Sequence, residues 1–413
     1  MDQGLEKQLK KAKEASKAMM KVDTQTKNKA LEAIADALKK NISIIIEENK
    51  KDIANAKDNG ISEAMVDRLL LTKERIEGIA NDVLKVATLH DPIGEVISEF
   101  ERPNGLKIKQ VRVPIGVFAI VYESRPNVTV DIASLCIKSS NVCVLKGGKE
   151  AIYSNTILAK IMNEAIKGIL PENTINLVEN NDRSIVTDLI TANGLVDVAV
   201  PRGGKGLIQH VVKNATVPVI ETGAGNCHLY IDEYADMEKA IPITVNAKIQ
   251  RPSVCNAIET ILVHEKIAPT YLPLMVKAFD GKVEIRGDQA TQAIIECKEA
   301  TDVDYDTEYD DYIVAIKVVK DINEVIDHIY KYSTKHSECI VTENKDIADL
   351  FMNSLDSACV YHNASTRFTD GGQFGFGAEL GISTQKLHAR GPLALREMTS
   401  YQYKIYGNGQ VRS

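Results

Sequence analysis

The feature that most constrains the fold is a regular alternation of short apolar runs with longer amphipathic stretches. From residue 116 the runs are VFAIVY, VCVLKG, INLVE, VDVAV and VPVIE, and a second series after residue 255 contains IETILVH, KVEI, YIVAIKVV, ECIVTEN and ACVYHN. Short apolar runs separated by helical stretches such as DINEVIDHIYKY are typical of βαβ units. The sequence therefore predicts an α/β fold with two doubly wound domains, whose boundary we expect near residue 228.

Two other kinds of pattern flank these series. Residues 5–90 place apolar side chains three and four positions apart, which predicts helices whose charged residues face solvent. The stretch EVISEFERPNGLKIKQVRVPIG alternates on both sides of Pro103-Asn104-Gly105 and predicts a long β-hairpin. The tail SYQYKIYGNGQVRS alternates like a strand, and we expect that no local partner completes it.

Composition excludes several classes of function. The chain has 413 residues, 44% hydrophobic content and a formal net charge of -7, with basic residues interspersed among acidic ones, which argues against nucleic-acid binding. The N-terminal segment lacks the apolar core of a signal peptide, and no stretch approaches a membrane span. Seven cysteines without CxxC pairs and histidines without HExxH predict a cytosolic protein with available thiols and no metal site.

The glycine motifs give weaker signals. No GxGxxG opens the first βα unit and no GxxxxGK[ST] is present, so neither standard nucleotide motif applies. Gly203 and Gly204, in PRGGKGLIQHV after the VDVAV run, could present backbone N–H groups at a helix start to a phosphate. A tight turn between strand and helix explains these glycines equally well.

Cys255 lies in NAKIQRPSVCNAIETILVH, between an Arg- and Pro-containing turn and an apolar run. A lone cysteine in an intracellular protein is usually a small buried hydrophobic residue. A position in a turn would instead place the sulfur at a cleft between domains. A thiolate is a strong nucleophile near neutral pH, so Cys255 is a candidate nucleophile.

Five segments together resemble the gamma-glutamyl phosphate reductase family of the aldehyde dehydrogenase superfamily. They are QRPSVCNAIET, ETGAGNCHLY, YESRPNVT, VLKGGKEA and the long C-terminal stretch NASTRFTDGGQFGFGAELGISTQKLHARGPLALREMTSY, and the resemblance extends over essentially the whole chain. It implies an aldehyde dehydrogenase-like fold and an enzyme in which a cysteine attacks an acyl phosphate. The thioester formed would then accept hydride from NADPH.

The resemblance assigns roles to three residues of the reaction centre. Cys255 matches the nucleophile, and Asn127 matches an asparagine whose amide stabilises the developing oxyanion. Glu221 matches the general base of hydrolytic relatives, although this reaction needs no water to release the acyl group. The Trp and Phe that usually surround the asparagine in the wider superfamily are absent here.

Cofactor residues follow from the same resemblance. Lys146 matches a ribose-binding lysine, and Lys149 stands where many NAD-preferring relatives have a glutamate. An ammonium there would attract a 2′-phosphate that a carboxylate would repel, which favours NADPH. Glu308 matches a glutamate that binds the nicotinamide ribose, and Gly203 and Gly204 remain candidates for the cofactor phosphates.

The substrate implied by the resemblance has an acyl phosphate at one end and an α-amino acid at the other. Arg125 and Arg251, which flank the two catalytic motifs, are candidates for the phosphate, and Arg367 is a candidate for the amino-acid end. Each arginine could equally belong to a structural ion pair.

The resemblance also implies a domain organisation and an assembly. Residues 1–95 and 115–228 would form the NADPH-binding domain and residues 229–397 the catalytic domain. The hairpin at 96–114 and the tail at 398–413 would mediate oligomerisation, which predicts a homodimer or a dimer-based tetramer. No kinase-like region is present, so a separate glutamate 5-kinase would supply the substrate.

Three alternatives remain open on the sequence. The chain could be another aldehyde or acyl-phosphate dehydrogenase of the same superfamily. It could be a cysteine hydrolase in which His336 or His388 activates Cys255. It could also be a binding protein that has the fold but no catalytic activity.

Overall fold

The computed structural model describes residues 1–61, 63–182 and 184–412. The α-helices are α1 (Gln3–Met19), α2 (Thr24–Lys40), α3 (Ile42–Asp58), α4 (Glu63–Leu69), α5 (Lys73–Thr88), α6 (Asn127–Lys138), α7 (Ile152–Ile166), α8 (Ser184–Ile190), α9 (Lys205–Asn214), α10 (Met237–Ile249), α11 (Ala268–Phe279), α12 (Gln289–Gln292), α13 (Asp302–Tyr305), α14 (Ile322–Tyr332) and α15 (Lys345–Ser354).

Most strands follow the predicted apolar runs, whereas the strand Cys227–Ile231 lies outside them. Two short 3₁₀ turns lie at Lys149–Ala151 and Thr366–Phe368. The strands are β1 (Val96–Glu101), β2 (Lys107–Pro114), β3 (Val117–Tyr122), β4 (Val142–Gly147), β5 (Ile175–Leu177), β6 (Val198–Arg202), β7 (Cys227–Ile231), β8 (Ile258–His264), β9 (Glu284–Gly287), β10 (Lys298–Glu299), β11 (Ile313–Val319), β12 (Ser337–Val341), β13 (Cys359–His362), β14 (Ile382–Ser383), β15 (Gly391–Pro392) and β16 (Thr399–Tyr406).

The chain divides into two compact units, neither of which is continuous in sequence. Unit 1 contains Met1–Thr222, Gly375–Gly381 and Leu393–Ser413, and unit 2 contains Gly223–Phe374 and Ile382–Pro392. The first boundary therefore falls at residues 222 and 223 rather than near 228. Parts of the segment that we assigned to the catalytic domain return to unit 1.

Unit 1 contains a parallel sheet in the order β5-β4-β3-β6. Since β3 comes first along the chain and has β4 on one side and β6 on the other, the connections change direction at β3, as in a doubly wound fold. The prediction of a further strand at VPVIE is wrong. Only a single bridge joins Val219 to Ala199, and Pro218, which has no N–H, cannot donate to a ladder.

The N-terminal helices are amphipathic, as the spacing predicts, but not all their charged residues face solvent. Lys27 is 1% exposed, and its Nζ lies 2.5 Å from Asp91 Oδ2 and 2.9 Å from Ser140 Oγ. Asp52 is also buried and accepts hydrogen bonds from the N–H and hydroxyl of Ser154 in the first turn of α7. These exceptions are polar residues buried with their partners, which periodicity alone does not predict.

The predicted hairpin is present, and its turn contains Gly105 at φ +84°. The tail has no local partner, as expected; its partner is the remote strand β2, with which β16 pairs antiparallel from Thr399 opposite Pro114 to Tyr406 opposite Lys107. The resulting sheet has the order β1-β2-β16 and belongs to unit 1. This pairing joins positions almost 300 residues apart in the chain, so no local pattern could reveal it.

Unit 2 contains a second parallel sheet, in the order β10-β9-β11-β8-β7-β12-β13. Its central strands β7, β8 and β12 are buried along their whole length, as expected for a sheet covered on both faces. A short antiparallel pair, β14 and β15, lies in the segment 382–392 of the same unit. The predicted fold class, with two parallel α/β sheets, is confirmed.

Candidate functional site

The carboxyl ends of the parallel strands in unit 1 bring together most of the predicted cofactor residues. Strand β3 is followed directly by the loop containing Arg125 and by Asn127, β4 by Gly148 and Lys149, and β6 by the two glycines before α9. Ligands of open α/β sheets bind at this edge, close to the strand where the connections change direction.

Two carboxylates that the sequence analysis did not single out organise this edge. Glu123 Oε2 accepts a hydrogen bond of 3.0 Å from Gly204 N, and Glu150 Oε1 accepts bonds of 2.7 and 2.9 Å from the backbone N–H and hydroxyl of Ser124. Glu123 directly follows β3, and Glu150 lies three residues after β4 in the 3₁₀ turn, so nearness to a strand end is the only sequence signal that could have identified them. The N–H that we predicted for a phosphate is thus used by a side chain of the same edge.

Gly203 is required by close packing rather than by a left-handed conformation. A Cβ at this position would overlap the Glu123 carboxylate and lie 2.9 Å from Leu207 Cδ2. Any side chain here would displace Glu123 or the start of α9.

The two predicted cofactor lysines lie in different environments. Lys146 is buried at the end of β4, where its Nζ lies 2.8 Å from Gly147 O and 3.3 Å from Asn181 Oδ1. Burial lowers the pKa of this lysine. Lys149 opens the 3₁₀ turn before α7 and is exposed, so its ammonium is accessible to an anion.

Asn127 is the first residue of α6, and its Nδ2 donates to Asp131 Oδ2 at 2.8 Å. This bond fixes the orientation of the amide while using only one of its two N–H groups. Burial raises the pKa of Asp131 to about 6, against the opposing effect of this hydrogen bond. Glu221 is partly exposed beyond β6, next to Ile220, whose N–H donates to Ala199 O at 2.9 Å.

We expect Asp131→Asn to change the pH dependence of stability. Because the pKa of this carboxyl is raised on folding, its contribution to stability is greatest below about pH 4 and falls as the pH rises to about 6. The variant has no such loss. Between pH 4.5 and 7.5 its free energy of unfolding, measured by urea denaturation, should therefore rise by about 1 to 2 kcal/mol relative to that of the wild type. Asp36→Asn, at an exposed carboxylate on α2, is the control. A gain independent of pH would contradict this assignment.

Unit 2 contains the candidate nucleophile. Cys255 lies in the turn between the end of α10 and the start of β8, as the sequence predicts, and is partly exposed. Its carbonyl oxygen accepts a hydrogen bond of 3.1 Å from Cys227 Sγ. Gly225 packs directly on the same backbone, and a Cβ there would overlap the Cys255 carbonyl group.

A buried ion pair joins the two ends of this turn. Lys248, in the last turn of α10, and Glu259, on β8, are 0% and 1% exposed, and Lys248 Nζ lies 2.6 Å from Glu259 Oε2. The other oxygen of Glu259 accepts a bond of 3.3 Å from Asp310 N. Burial raises the pKa of Glu259, while Lys248 acts in the opposite direction. Cys255 therefore lies on a turn whose two ends are joined by a short buried contact between these side chains.

Glu308 contacts the same turn indirectly. Its Oε1 accepts a hydrogen bond of 2.6 Å from Gly225 N, and Gly225 packs on Cys255. The residue predicted to bind the nicotinamide ribose thus also positions the backbone beside the nucleophile.

Arg251 and Arg367 both lie near Cys255. The Arg367 guanidinium donates to Gln250 Oε1 at 2.8 Å and to Asn256 Oδ1, so the residue next to the nucleophile binds this arginine. Burial, and then the positive charge of Arg251, lowers the pKa of Arg367, while the charge of Cys255 acts in the opposite direction. The structure thus brings the two arginines together, although the sequence analysis assigned them to opposite ends of the substrate.

His336, proposed as a hydrolase base, lies beside a different thiol. It is buried, and its Nδ1 lies 3.7 Å from Cys227 Sγ and 2.9 Å from Ser337 Oγ. Burial lowers the pKa of His336 to about 4, so the ring is neutral at physiological pH. These contacts do not favour an ion pair between His336 and Cys255.

Metal sites, membrane spans and cavities give no further candidate site in the described part of the chain. Within residues 1–61, 63–182 and 184–412, no group of three or more His, Cys, Asp or Glu side chains could hold a metal ion. No helix in these ranges is long and apolar enough to cross a membrane. A cavity of about 540 Å³ between α3 and the start of α5 contains none of the predicted site residues.

Comparisons with known proteins agree with the fold. The profile of the aldehyde dehydrogenase family matches residues 2–303, about three quarters of the sequence. The chain therefore belongs to the aldehyde dehydrogenase family.

Relatives with high sequence identity to this chain have names that are more specific than the family. A gamma-glutamyl phosphate reductase from Clostridium novyi is 55% identical over 404 residues, 97% of each chain. One from Caldanaerobacter subterraneus is 54% identical over 411 residues, 99% of each. The crystal structure of gamma-glutamyl phosphate reductase from Thermotoga maritima is similar with a TM-score of 0.97 and 49% identity, covering 99% of this chain and 100% of that one. The resemblance inferred from the motifs is confirmed.

Proposed function

We propose that this chain catalyses the NADPH-dependent reduction of L-glutamyl 5-phosphate to L-glutamate 5-semialdehyde and phosphate in proline biosynthesis. The observation that carries the proposal is a partly exposed cysteine in a rigidly connected turn with two arginines beside it. The names of relatives at 54 to 55% identity support the particular substrate.

Cys255 is the nucleophile in this proposal. Its thiolate attacks the acyl carbon, the C–S bond forms, and the C–O bond to phosphorus-bound oxygen breaks, so that phosphate leaves with the electron pair. A second N–H of the Asn127 amide, not used by Asp131, is available for the oxyanion that develops at the acyl oxygen. Glu221 is proposed to handle protons, since release of the acyl group here needs no water.

The residues at the strand ends of unit 1 fit a phosphorylated nicotinamide cofactor. The chemistry of the side chains supports this, because two lysine ammonium groups are suited to phosphate and ribose oxygens. The proposed cofactor residues are Lys146, Lys149, Gly203 and Gly204 in unit 1 and Glu308 in unit 2. When bound, NADPH supplies the hydride that the reaction requires.

Lys149→Glu should weaken NADPH binding far more than NADH binding, because only NADPH carries the 2′-phosphate. A charge-assisted hydrogen bond contributes roughly 1.5 to 3 kcal/mol, so the dissociation constant for NADPH should rise at least about tenfold. Fluorescence titration of both cofactors measures this, and Lys160→Glu on α7 is the control. Equal losses for both cofactors would show that Lys149 does not contact that phosphate.

A steady-state assay tests the proposed function. Glutamate 5-semialdehyde should reduce NADP only when inorganic phosphate is present, because phosphate must release the acyl group from Cys255. A hydrolytic aldehyde dehydrogenase would reduce NADP without phosphate. A cysteine hydrolase or a silent binding protein would give no reduction at all.

The exposed face of the β1-β2-β16 sheet supports a proposal about assembly. Four large apolar side chains on the two outer strands are each 45 to 60% exposed, which is unusual for such side chains in one small sheet; they are Phe100, Tyr401, Tyr403 and Ile405. We propose a homodimer or a dimer-based tetramer that buries this face, and truncation after Met398 should shift the sedimentation coefficient towards that of a monomer. An unchanged coefficient would contradict a role for β16.

The reaction also has consequences for location and partners. The thiol chemistry requires a reducing compartment, which supports the cytoplasm. A separate glutamate 5-kinase is the proposed source of the acyl phosphate, which is labile in water.

A further inference from the structure

Arg367 is bound in a way that orients its guanidinium rather than neutralising it. Asn256 Oδ1 and Gln250 Oε1 both accept hydrogen bonds from it, and neither acceptor carries a charge. The ion pairs found within the described ranges include none with Arg367 or Arg251, and the charge of Asp370 acts on Arg367 without a direct ion pair. The charged arginines elsewhere in unit 2 differ in this respect, since Arg286 and Arg390 bind carboxylates.

The turn of the nucleophile and the segment containing Arg367 form one rigid element. Asn256, which is 4% exposed, donates from Nδ2 to Thr369 O at 2.9 Å, and its carbonyl accepts a bond of 2.7 Å from Thr366 Oγ1. Because Asn256 follows Cys255 directly, these bonds hold the guanidinium at a fixed position relative to the thiol. A binding group fixed in this way loses little conformational freedom when a ligand arrives.

Resting on the proposed function, we propose that Arg367, together with Arg251, binds the phosphoryl group of the substrate and of the departing phosphate. This differs from the assignment of Arg367 to the amino-acid end, which the sequence suggested. Two guanidinium groups without a carboxylate partner suit a dianionic phosphate, whose oxygens accept paired N–H bonds. Gln250 and Asn256 then act as positioning residues for Arg367.

Steady-state kinetics separate the two ends of the substrate. In the direction of NADP reduction, Arg367→Gln should raise the KM for inorganic phosphate at least about tenfold and change the KM for glutamate 5-semialdehyde less than about twofold. Arg367→Lys, which keeps the charge but not the planar fork, should give a smaller rise. Arg68→Gln, at an exposed position on α4, is the matched control.

A chemical measurement gives a second readout that does not depend on turnover. Inorganic phosphate should slow the alkylation of Cys255 by iodoacetamide in the wild-type protein, and the protecting concentration should rise about tenfold or more in Arg367→Gln. Arg251 is exposed, so Arg251→Gln provides the same test if Arg367→Gln fails to fold.

The outcomes distinguish this proposal from the one on which it rests. A rise in the KM for the semialdehyde alone would place Arg367 at the amino-acid end. If both KM values and the protection of Cys255 by phosphate are unchanged in Arg367→Gln, the role of Arg367 is structural. Either result overturns the proposal. Absence of phosphate-dependent NADP reduction in the wild-type protein would instead overturn the proposed function.

Discussion

Cys255→Ala is expected to abolish phosphate-dependent turnover, with a residual rate below about one per cent of wild type. The substitution removes the atom that forms the covalent intermediate and only a small side-chain volume. Cys255 is partly exposed in a turn, so folding and NADPH binding should be largely unchanged. Turnover is followed by NADP reduction, folding by thermal denaturation and cofactor binding by fluorescence.

Cys297→Ala is the matched control for this variant. Cys297 is also a partly exposed thiol, in the same unit, and its pKa is raised by burial, so it should be a poor nucleophile. Its replacement should leave the rate close to wild type. A Cys255→Ala protein that retains more than a few per cent of the wild-type rate would show that another group is the nucleophile.

Gly225→Ala is expected to have an effect almost as large without changing any reacting group. The added methyl would overlap the carbonyl of Cys255, so either the nucleophile turn or the Gly225 backbone must move. Displacement of a nucleophile by about 1 Å can reduce turnover about 100-fold. The strain should also lower the free energy of unfolding by about 1 to 3 kcal/mol.

Gly78→Ala is the control for the added methyl group. Gly78 lies in α5 with open space at its Cβ position, so alanine there should increase the free energy of unfolding by up to about 1 kcal/mol. Urea denaturation and NADP reduction measure both variants. A Gly225→Ala protein with wild-type turnover would show that the packing of Gly225 on the Cys255 backbone does not position the nucleophile.

The sequence predicts the elements whose pattern is local. The apolar runs from VFAIVY to VDVAV and from IETILVH to ACVYHN each correspond to a strand, because burial in a parallel sheet requires consecutive apolar residues. The prediction of a strand at VPVIE is wrong because Pro218 cannot donate a backbone hydrogen bond to a neighbouring strand. The pairing of β16 with β2 could not be predicted because the two strands are remote in sequence.

The sequence indicated where residues with a proposed chemical role lie in the fold, but it did not indicate the residues that position them. Cys255 lies in the expected turn, and Lys149 is exposed at the expected strand end. The buried pair of Lys248 and Glu259 joins residues on either side of that turn, and neither has a motif of its own. Such contacts depend on the tertiary structure, which charge and periodicity do not specify.

A single-turnover measurement without phosphate tests the central claim most directly. When excess glutamate 5-semialdehyde and NADP are mixed with the enzyme, one equivalent of NADPH per Cys255 should form rapidly and the reaction should then stop, because the acyl group stays on the sulfur as a thioester. Mass spectrometry should locate the acyl group on Cys255, and added phosphate should restart the reaction. Continuous NADPH formation without phosphate, or no burst at all, would contradict the proposed reaction.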